Sequence, residues 1–329
     1  MQPYSLTLKI PNFEYTGYVS KLCQSIEIRL NKCREIKNIS VRTKLRRISH
    51  LTSINSSLSI EANSLSLTSM KDVINGKTVI GPFDEIQEVK NADSAYSMLK
   101  SIDPLSIEDF LRVEEAMMFG LVEQNGFRSG SVGVFEGERC IYKAPEAGHV
   151  VPMMESLFTW VANSGYPGYI LGSIFHYYTE IIHPFNDGNG RMGRLWHTAL
   201  MRMYDKSFDL ISMENLIHSH QEEYYRILGT NQDDWNCTEF VVFCLKLIDE
   251  ELELVSKLEN PNTSRIIAAM GDEYMTASEI MRKLNLSNRS YFLKNFVRPA
   301  VEMGLIEMYD PERPRSRNQK YRSRFGLRL

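Results

Sequence analysis

The sequence predicts a mainly helical protein that carries one small β-hairpin and ends in a separate module. Three observations lead there. Most of the chain repeats apolar side chains at three- and four-residue intervals, the period of a helix packed by one face. Strand-like character is confined to a short N-terminal stretch, to residues 128–145 and to two runs near the C-terminus. From Pro261 onward 13 Lys and Arg stand against 7 Asp and Glu, about +6, although the whole chain is at −3, so its end is a separate electrostatic object.

At 329 residues the chain is long enough for two to three domains, and an apolar fraction of 43% is ordinary for a globular protein. With 24% charged residues and little net charge, the chain as a whole does not advertise a polyanionic partner. Cys23, Cys33, Cys140, Cys237 and Cys244 have no metal-type pair spacing, which fits structural thiols in a reducing compartment. The N-terminus lacks the pattern of a secretory signal, and no run of about 18 apolar residues occurs. The expectation is a cytoplasmic protein without a membrane partner.

The elements follow in order. Tyr4, Leu6, Leu8 and Ile10 alternate and Pro11 ends them, a short strand or an extended arm. From Tyr18 to about Ser66 the apolar positions Ile26, Ile28, Leu30, Ile36, Leu45, Ile48, Leu51, Ile54 and Leu58, mostly three or four residues apart, predict a helical pair packed on the core. One carboxylate, Glu61, stands on the otherwise uncharged stretch 56–65. Asn75-Gly76 and Gly81-Pro82 are turns, and Phe83 to Leu99 reads as a helix. Ser106 before Glu108 and Asp109 is an N-cap that opens a helix to about Val122. Residues 128–145 read as two strands around Glu136-Gly137-Glu138.

Pro152 to Asn163 and Tyr169 to Ile182 predict two apolar helices, the second buried nearly all round, which makes His176 a hydrogen-bonded core residue; His197 takes the same reading. Leu195 to Tyr204 continues as a helix. His218 and His220 have no third metal ligand nearby. Helical patterning resumes from Phe240 to Leu258, and residues 259–264 read as a linker with its own N-cap. Beyond it, 265–270, 276–284 and 288–303 predict helices, with strands at 305–309 and 320–325 around a basic loop.

Between the two central helices lies His-Pro-Phe-Asn-Asp-Gly-Asn-Gly-Arg-Met-Gly-Arg, His183 to Arg194. Gly188 and Gly190 allow a left-handed or closely approached backbone, and amides at the start of the next helix favour an anion. The same dozen residues hold an imidazole that can accept a proton, a carboxylate that can hold a hard cation and two guanidiniums that can meet phosphate oxygens. The run resembles the Fic-domain signature His-x-Phe-x-Asp/Glu-Gly-Asn-Gly-Arg-x-x-Arg. It matches at His183, Phe185, Asp187, Gly188, Asn189, Gly190, Arg191 and Arg194.

The resemblance covers roughly residues 50–240 and implies a Fic-type helical bundle with a β-hairpin flap, and AMP transfer from ATP to a hydroxyl of a protein. It implies His183 as general base, Asp187 as the Mg²⁺ ligand, and Asn189 with the amides of Gly188 and Gly190 on the α-phosphate. Arg191 and Arg194 fall to the β- and γ-phosphates, while Phe185 points inward. Ser57 and Glu61 fit the Ser/Thr-x-x-x-Glu spacing of the family's inhibitory helix, whose Glu pairs with the second motif arginine; Ala62 replaces the usual Gly, with Asn63 following. The hairpin 128–145 is similar to the flap that captures a target segment by strand addition. Tyr224 and Tyr225, with Asn231 or Gln232, are similar to the wall of an adenine pocket.

Residues from Thr276 onward resemble a winged helix-turn-helix, with Arg289, Lys294 and Arg298 on its third helix and Arg313, Arg315, Arg317 and Lys320 in its wing. DNA and a protein surface are both partners of such modules. The expected division is an N-terminal helical region 1–95, a catalytic core 96–258 and a C-terminal module 259–329. Two other functional classes stay open: a Fic-type enzyme moving another phosphoryl-containing group, and a nucleotide-responsive DNA-binding regulator. A homodimer is also left open.

Overall fold

The structure, a computed structural model, describes residues 11–136, 139–230 and 234–326, with the side chains of 134–142 left aside. The chain forms two compact units. One contains 53–208 and 212–246 with the described residues before 21, the other 21–52, 209–211 and everything from 247 on.

Four helices precede the core: α1 (Gly17–Arg34), α2 (Ile39–Ile60), α3 (Leu67–Ile74) and α4 (Phe83–Met98). The first unit takes the end of α2 from Ser53 onward. It continues through α3, α4, α5 (Ile107–Met117), β1 (Gly133–Glu136), β2 (Arg139–Lys143), α6 (Ala147–Asn163), α7 (Gly168–Ile182) and α8 (Asn189–Tyr204) to α9 (Met213–Ser219) and α10 (Gln221–Gly229). Its axis is the pair α7 and α8. Every residue of α7 except Glu180 is buried, as an all-round apolar helix requires.

Glycine sets how closely these two helices pack. A Cβ at Gly168 would stand 2.3 Å from the Leu200 carbonyl oxygen, and one at Gly172 would stand 2.4 Å from the His197 ring. Around them Phe110, Phe158, Phe175, Phe185 and Trp196 form an edge-to-face and tilted cluster with centroids 4.9–6.3 Å apart, the arrangement ring quadrupoles favour. The floor of the motif loop is therefore rigid aromatic packing.

Three boundaries depart from the sequence reading. Helix α5 ends at Met117, not near Val122, because the chain turns through Gly120 at φ 70. Helix α6 starts five residues before Pro152, which sits inside it in the second turn; having no amide, it leaves the Gly148 carbonyl without its usual i+4 donor. The expected linker 259–264 is mostly helix: Asn260 caps α12 (Pro261–Ala269) through the amides of Asn262 and Thr263, with Pro261 in the first position. Of the N-terminal alternation only its end is described, where Asn12 bridges Asn236 and donates from its amide to the Tyr178 hydroxyl at 2.7 Å.

The two hairpin strands pair antiparallel, Gly133 opposite Lys143, with a register shift between Val134 and Phe135. Helix α11 (Thr238–Ser256) leads into the second unit, where α12 is followed by β3 (Met275–Thr276), α13 (Ala277–Lys283), α14 (Arg289–Phe292), α15 (Arg298–Glu302), β4 (Ile306–Met308) and β5 (Lys320–Ser323). The sheet order is β3-β5-β4, all antiparallel. Thr276 and Glu279 form a reciprocal capping box at α13. The run expected as one helix from 288 to 303 contains a π turn at Leu293–Val297 between α14 and α15. Pro299 accounts for it: with no amide to offer residue 295, the preceding turn widens and Arg298 donates to Leu293. Lys44, which belongs to this unit, closes the end of α12 by donating to Ile267 and Met270 carbonyls at 3.0 and 2.7 Å. Among the described residues, no helix is long and apolar enough to cross a membrane.

Candidate active site

The motif loop starts where α7 stops. His183 takes the left-handed conformation, φ 52 and ψ 60, and its amide donates to the Thr179 carbonyl at 3.0 Å. That residue type ends helices there less readily than glycine, so the surrounding bonds must hold it. Phe185 is fully buried, stacked on Phe127 and tilted against Phe110 at 5.7 and 5.3 Å between centroids.

The side chain of Asn189, expected at the α-phosphate, is instead turned inward. It accepts from the Phe185 amide at 2.8 Å and donates to the Phe185 carbonyl at 3.0 Å. Both ends of its amide are used, so it braces the loop. Gly188 caps α8 at φ 83, and a Cβ there would also stand 2.5 Å from Met118 Sδ. Conformation and space both require glycine at this turn. The first amides of α8, a helix of 16 residues, lie at its positive dipole end.

The two motif arginines are buried and each is held by carboxylates. Arg194, 1% exposed, donates from Nη2 to Glu61 Oε1 at 2.6 Å and to the Ser57 carbonyl at 3.1 Å, and from Nε to Ser57 Oγ at 3.2 Å. Burial alone would weaken its charge, but Glu61, Tyr224 and Glu180 outweigh that and raise its pKa above the ordinary arginine value. Gly190 makes room: a Cβ there would meet Glu61 Oε1 at 2.6 Å, Arg194 Nη1 at 2.9 Å and Glu180 Oε1 at 3.2 Å. Despite burial, the carboxyl of Glu180 is held down to about 2 by the hydrogen-bonded His176, Arg194 and His183. Burial lowers the pKa of His176.

Arg191 donates to Glu88 Oε1 at 3.1 Å and to Asp187 Oδ2 at 2.9 Å. Its buried Nε has no hydrogen-bond partner among the described residues. The other oxygen of Glu88 accepts from Asn63 Nδ2 at 2.8 Å. Asp187 is the most open charge of the loop, 64% exposed, with Oδ1 accepting from the Gly188 amide at 2.6 Å. A single accessible carboxylate beside a phosphate-type cradle fits Mg²⁺, which combines one or two carboxylates with phosphate oxygens.

The end of α2 shows why Ala62 departs from the expected glycine at a cost. The Asn63 amide bonds the Leu58 carbonyl and the Ala62 amide that of Ser59, a Schellman arrangement that puts Ala62 at φ 64. An alanine there costs about 1 kcal/mol. The tyrosine pair is divided: Tyr224 is buried, its hydroxyl donating to Glu180 Oε1 at 2.9 Å beside His176 Nε2 at 3.2 Å, so it is no open pocket wall. Tyr225, 49% exposed, is the accessible ring. Asn231 and Gln232 lie outside the described residues.

Sequence reasoning passed over Glu180, Glu88 and Glu214. Glu180 is the one acidic residue in the apolar run 169–182, the same kind of signal that singled out Glu61. Glu214, fully buried, accepts from the hydroxyls of Ser53, Tyr96, Thr198 and Ser212 at 2.6–3.2 Å. It links α2, α4 and α8 beneath the arginine. Nothing in its sequence neighbourhood distinguishes it.

A left-handed histidine, a glycine-capped helix start and two carboxylate-held arginines meet in one loop, the loop that carries the likeness to the Fic signature. Comparison with known proteins agrees. The Fic/DOC family model matches residues 104–201, and that of the C-terminal domain of filamentation-induced-by-cAMP Fic-like proteins matches 261–323. A solved Fic family protein from Desulfovibrio desulfuricans G20 is 34% identical, covers 95% of this chain and 98% of its own, and superposes with a TM-score of 0.71. The chain belongs to the Fic family. Fic-1 of Caenorhabditis elegans (residues 134–508), 21% identical over 72% of each chain with a TM-score of 0.57, shares the fold.

Curated relatives include a probable protein adenylyltransferase of Aquifex aeolicus and a protein adenylyltransferase Fic of Aedes aegypti. Each is 23% identical over 222 residues, which is 61% and 62% of this chain. The chain spans 63% and 42% of their lengths, less than two thirds.

Proposed function

We propose that the protein is a protein adenylyltransferase that moves AMP from ATP to a Ser, Thr or Tyr hydroxyl of a target protein and is restrained by Glu61. The observation that carries this reading is the 2.6 Å pair between Glu61 and Arg194 beside the glycine-capped start of α8. A carboxylate on that guanidinium occupies the place a terminal phosphate needs. His183 accepts the proton of the hydroxyl, whose oxygen attacks the α-phosphorus while pyrophosphate leaves. The amides of Gly188, Asn189 and Gly190 receive the α-phosphate oxygens, Arg191 the β-phosphate and Arg194 the γ-phosphate. Asp187 would hold Mg²⁺, which supplies neutralisation of the phosphate charge when bound. Tyr225 borders the adenine end, with Tyr224 behind it and Asn231 proposed as its polar partner.

The hairpin at 128–145 captures the target by strand addition. Residues 259–329 act as a winged helix-turn-helix beside a catalytic core at 96–258 and a regulatory region at 1–95. Support for DNA as a partner is that Arg289, Lys294, Arg298, Arg313, Arg315, Arg317 and Lys320 are all exposed. Incubation with α-labelled and γ-labelled ATP in Mg²⁺ tests the reaction: label on protein from the α-phosphate alone is the expected result. Label from the γ-phosphate would instead make the chain a Fic-type enzyme that transfers another group, and no label on protein would leave nucleotide as a ligand.

A further inference from the structure

Arg128 precedes the hairpin strands and is 3% exposed. Its guanidinium is spread over backbone carbonyls from two parts of the first unit. Nη1 donates to Gly130 at 2.8 Å and Nη2 to Pro145 at 2.5 Å, the two feet of the hairpin. Nε donates to His183 at 2.7 Å and Nη2 also to Ile182 at 3.3 Å, while the Arg128 amide donates to Pro184 at 2.9 Å. Ile182, His183 and Pro184 are the end of α7, where carbonyls lack intrahelical partners and the macrodipole is negative. A buried cation is well placed there.

These bonds explain how His183 is kept at φ 52. A left-handed non-glycine residue persists only where its surroundings over-determine it, and Arg128 pins the carbonyl of that residue and of both its neighbours. The planar fork of arginine can reach four carbonyls at once; a lysine presents its three donors from one point.

We propose that Arg128 is a positioning residue that ties the flap to His183, so that a target strand on the hairpin and the proton-accepting imidazole share one fixed geometry. The proposal rests on the reading of His183 as the base. Arg128 acts through backbone and touches neither the ion pairs of the motif arginines nor the start of α8, so nucleotide binding and proton acceptance should separate on its removal.

The test uses the full chain carrying Glu61→Gly, with Arg128→Gln and Arg128→Lys added in turn. Transfer from α-labelled ATP is measured against ATP concentration. The expected result for Arg128→Gln is a kcat lowered about tenfold or more, since small misplacements of a reacting group have effects of that size, with a KM for ATP within about twofold. Arg128→Lys should show the same pattern with a smaller loss and decides the matter if Arg128→Gln fails to fold. Hydrogen exchange is followed in parallel: amides of 130–145 should exchange faster while those of α8 do not.

A kcat within about twofold of the Glu61→Gly protein in a folded variant overturns the proposal, as does unchanged exchange at 130–145. Parallel loss of kcat, ATP affinity and α8 protection also overturns it, marking a generally loosened fold. The two readings fail separately. If the Glu61→Gly protein itself transfers no AMP, the adenylyltransferase reading falls, and exchange at the hairpin still reads whether Arg128 anchors it.

Discussion

The motif loop and the C-terminal module are both rich in arginine, yet they present it in opposite ways. Arg191 and Arg194 are buried, and each is already paired with a carboxylate brought from another helix. Arg289, Arg298, Arg313, Arg315 and Arg317 stand in solvent. A buried pair must be displaced before an anion can use its cation, so anion binding in the first region would require an exchange of partners in a fixed geometry. Exposed cations meet an anion by releasing counterions, so any polyanion binding by the second region would be salt-sensitive. Composition alone does not separate these cases; burial does.

The contrast can be broken at its strongest point first. His183→Ala is expected to lower AMP transfer by about 10² to 10⁴-fold, the usual range for a general base, with ATP affinity nearly unchanged; equilibrium binding beside a rate assay checks both. Retention of more than about a tenth of the rate would remove His183 from that role.

In the exposed region, DNA binding by the full chain should weaken by several tens of fold between about 50 and 200 mM salt if about three phosphates are neutralised. Replacing Arg289, Lys294 and Arg298 by Ala should flatten that slope by about 0.9 for each phosphate left without its cation. No binding at low salt would assign the module to protein docking.

Releasing the buried pair is the next largest effect. Glu61→Gly, and Glu61→Gln with better helix propensity, should raise AMP transfer about tenfold or more, equal to roughly 1.4 kcal/mol. Wild-type or lower rates in both would make Glu61 an ordinary helix residue and erase the contrast.

Glu114 sharpens the contrast from within the first unit. Burial pushes its carboxyl up to about 7, partly offset by the bond it accepts from the Gly126 amide at 2.9 Å. The folded state then keeps a proton the unfolded chain releases near the ordinary glutamate value, so this group lowers stability as pH rises from about 4.5 to about 7. Glu114→Gln should remove that decline and stabilise the protein near neutral pH by about 1 kcal/mol, read from denaturant midpoints at several pH values.

The smallest effect concerns the cap of α2. Ala62→Gly should stabilise the chain by about 0.5–1 kcal/mol through relief of the left-handed alanine. A lower melting temperature would mean that the strain at φ 64 is offset by packing of the methyl group.

Much of the fold was legible because helix periodicity is a local property. The helix at 83–98 and the N-cap at Ser106 lie where the pattern put them. The π turn before Pro299 and the early start of α6 were not, since both depend on which amide partners packing leaves available. In the site, Glu61 stood out as a lone carboxylate on an uncharged helix, whereas Glu88 reaches Arg191 across 103 residues with no local mark.

By itself the sequence determined the chemistry of the motif loop: which groups can take a proton, hold a cation or meet phosphate is set by residue type, and their contiguity guarantees that they meet. Only the tertiary structure decided which of those groups are free. Asn189 turned inward, Tyr224 disappeared beneath the loop, and both arginines acquired carboxylates from distant helices. Partnership across that distance depends on the close approach of α7 and α8 and on where α2 and α4 come to rest, and packing of this kind leaves no period or spacing in the chain to be read.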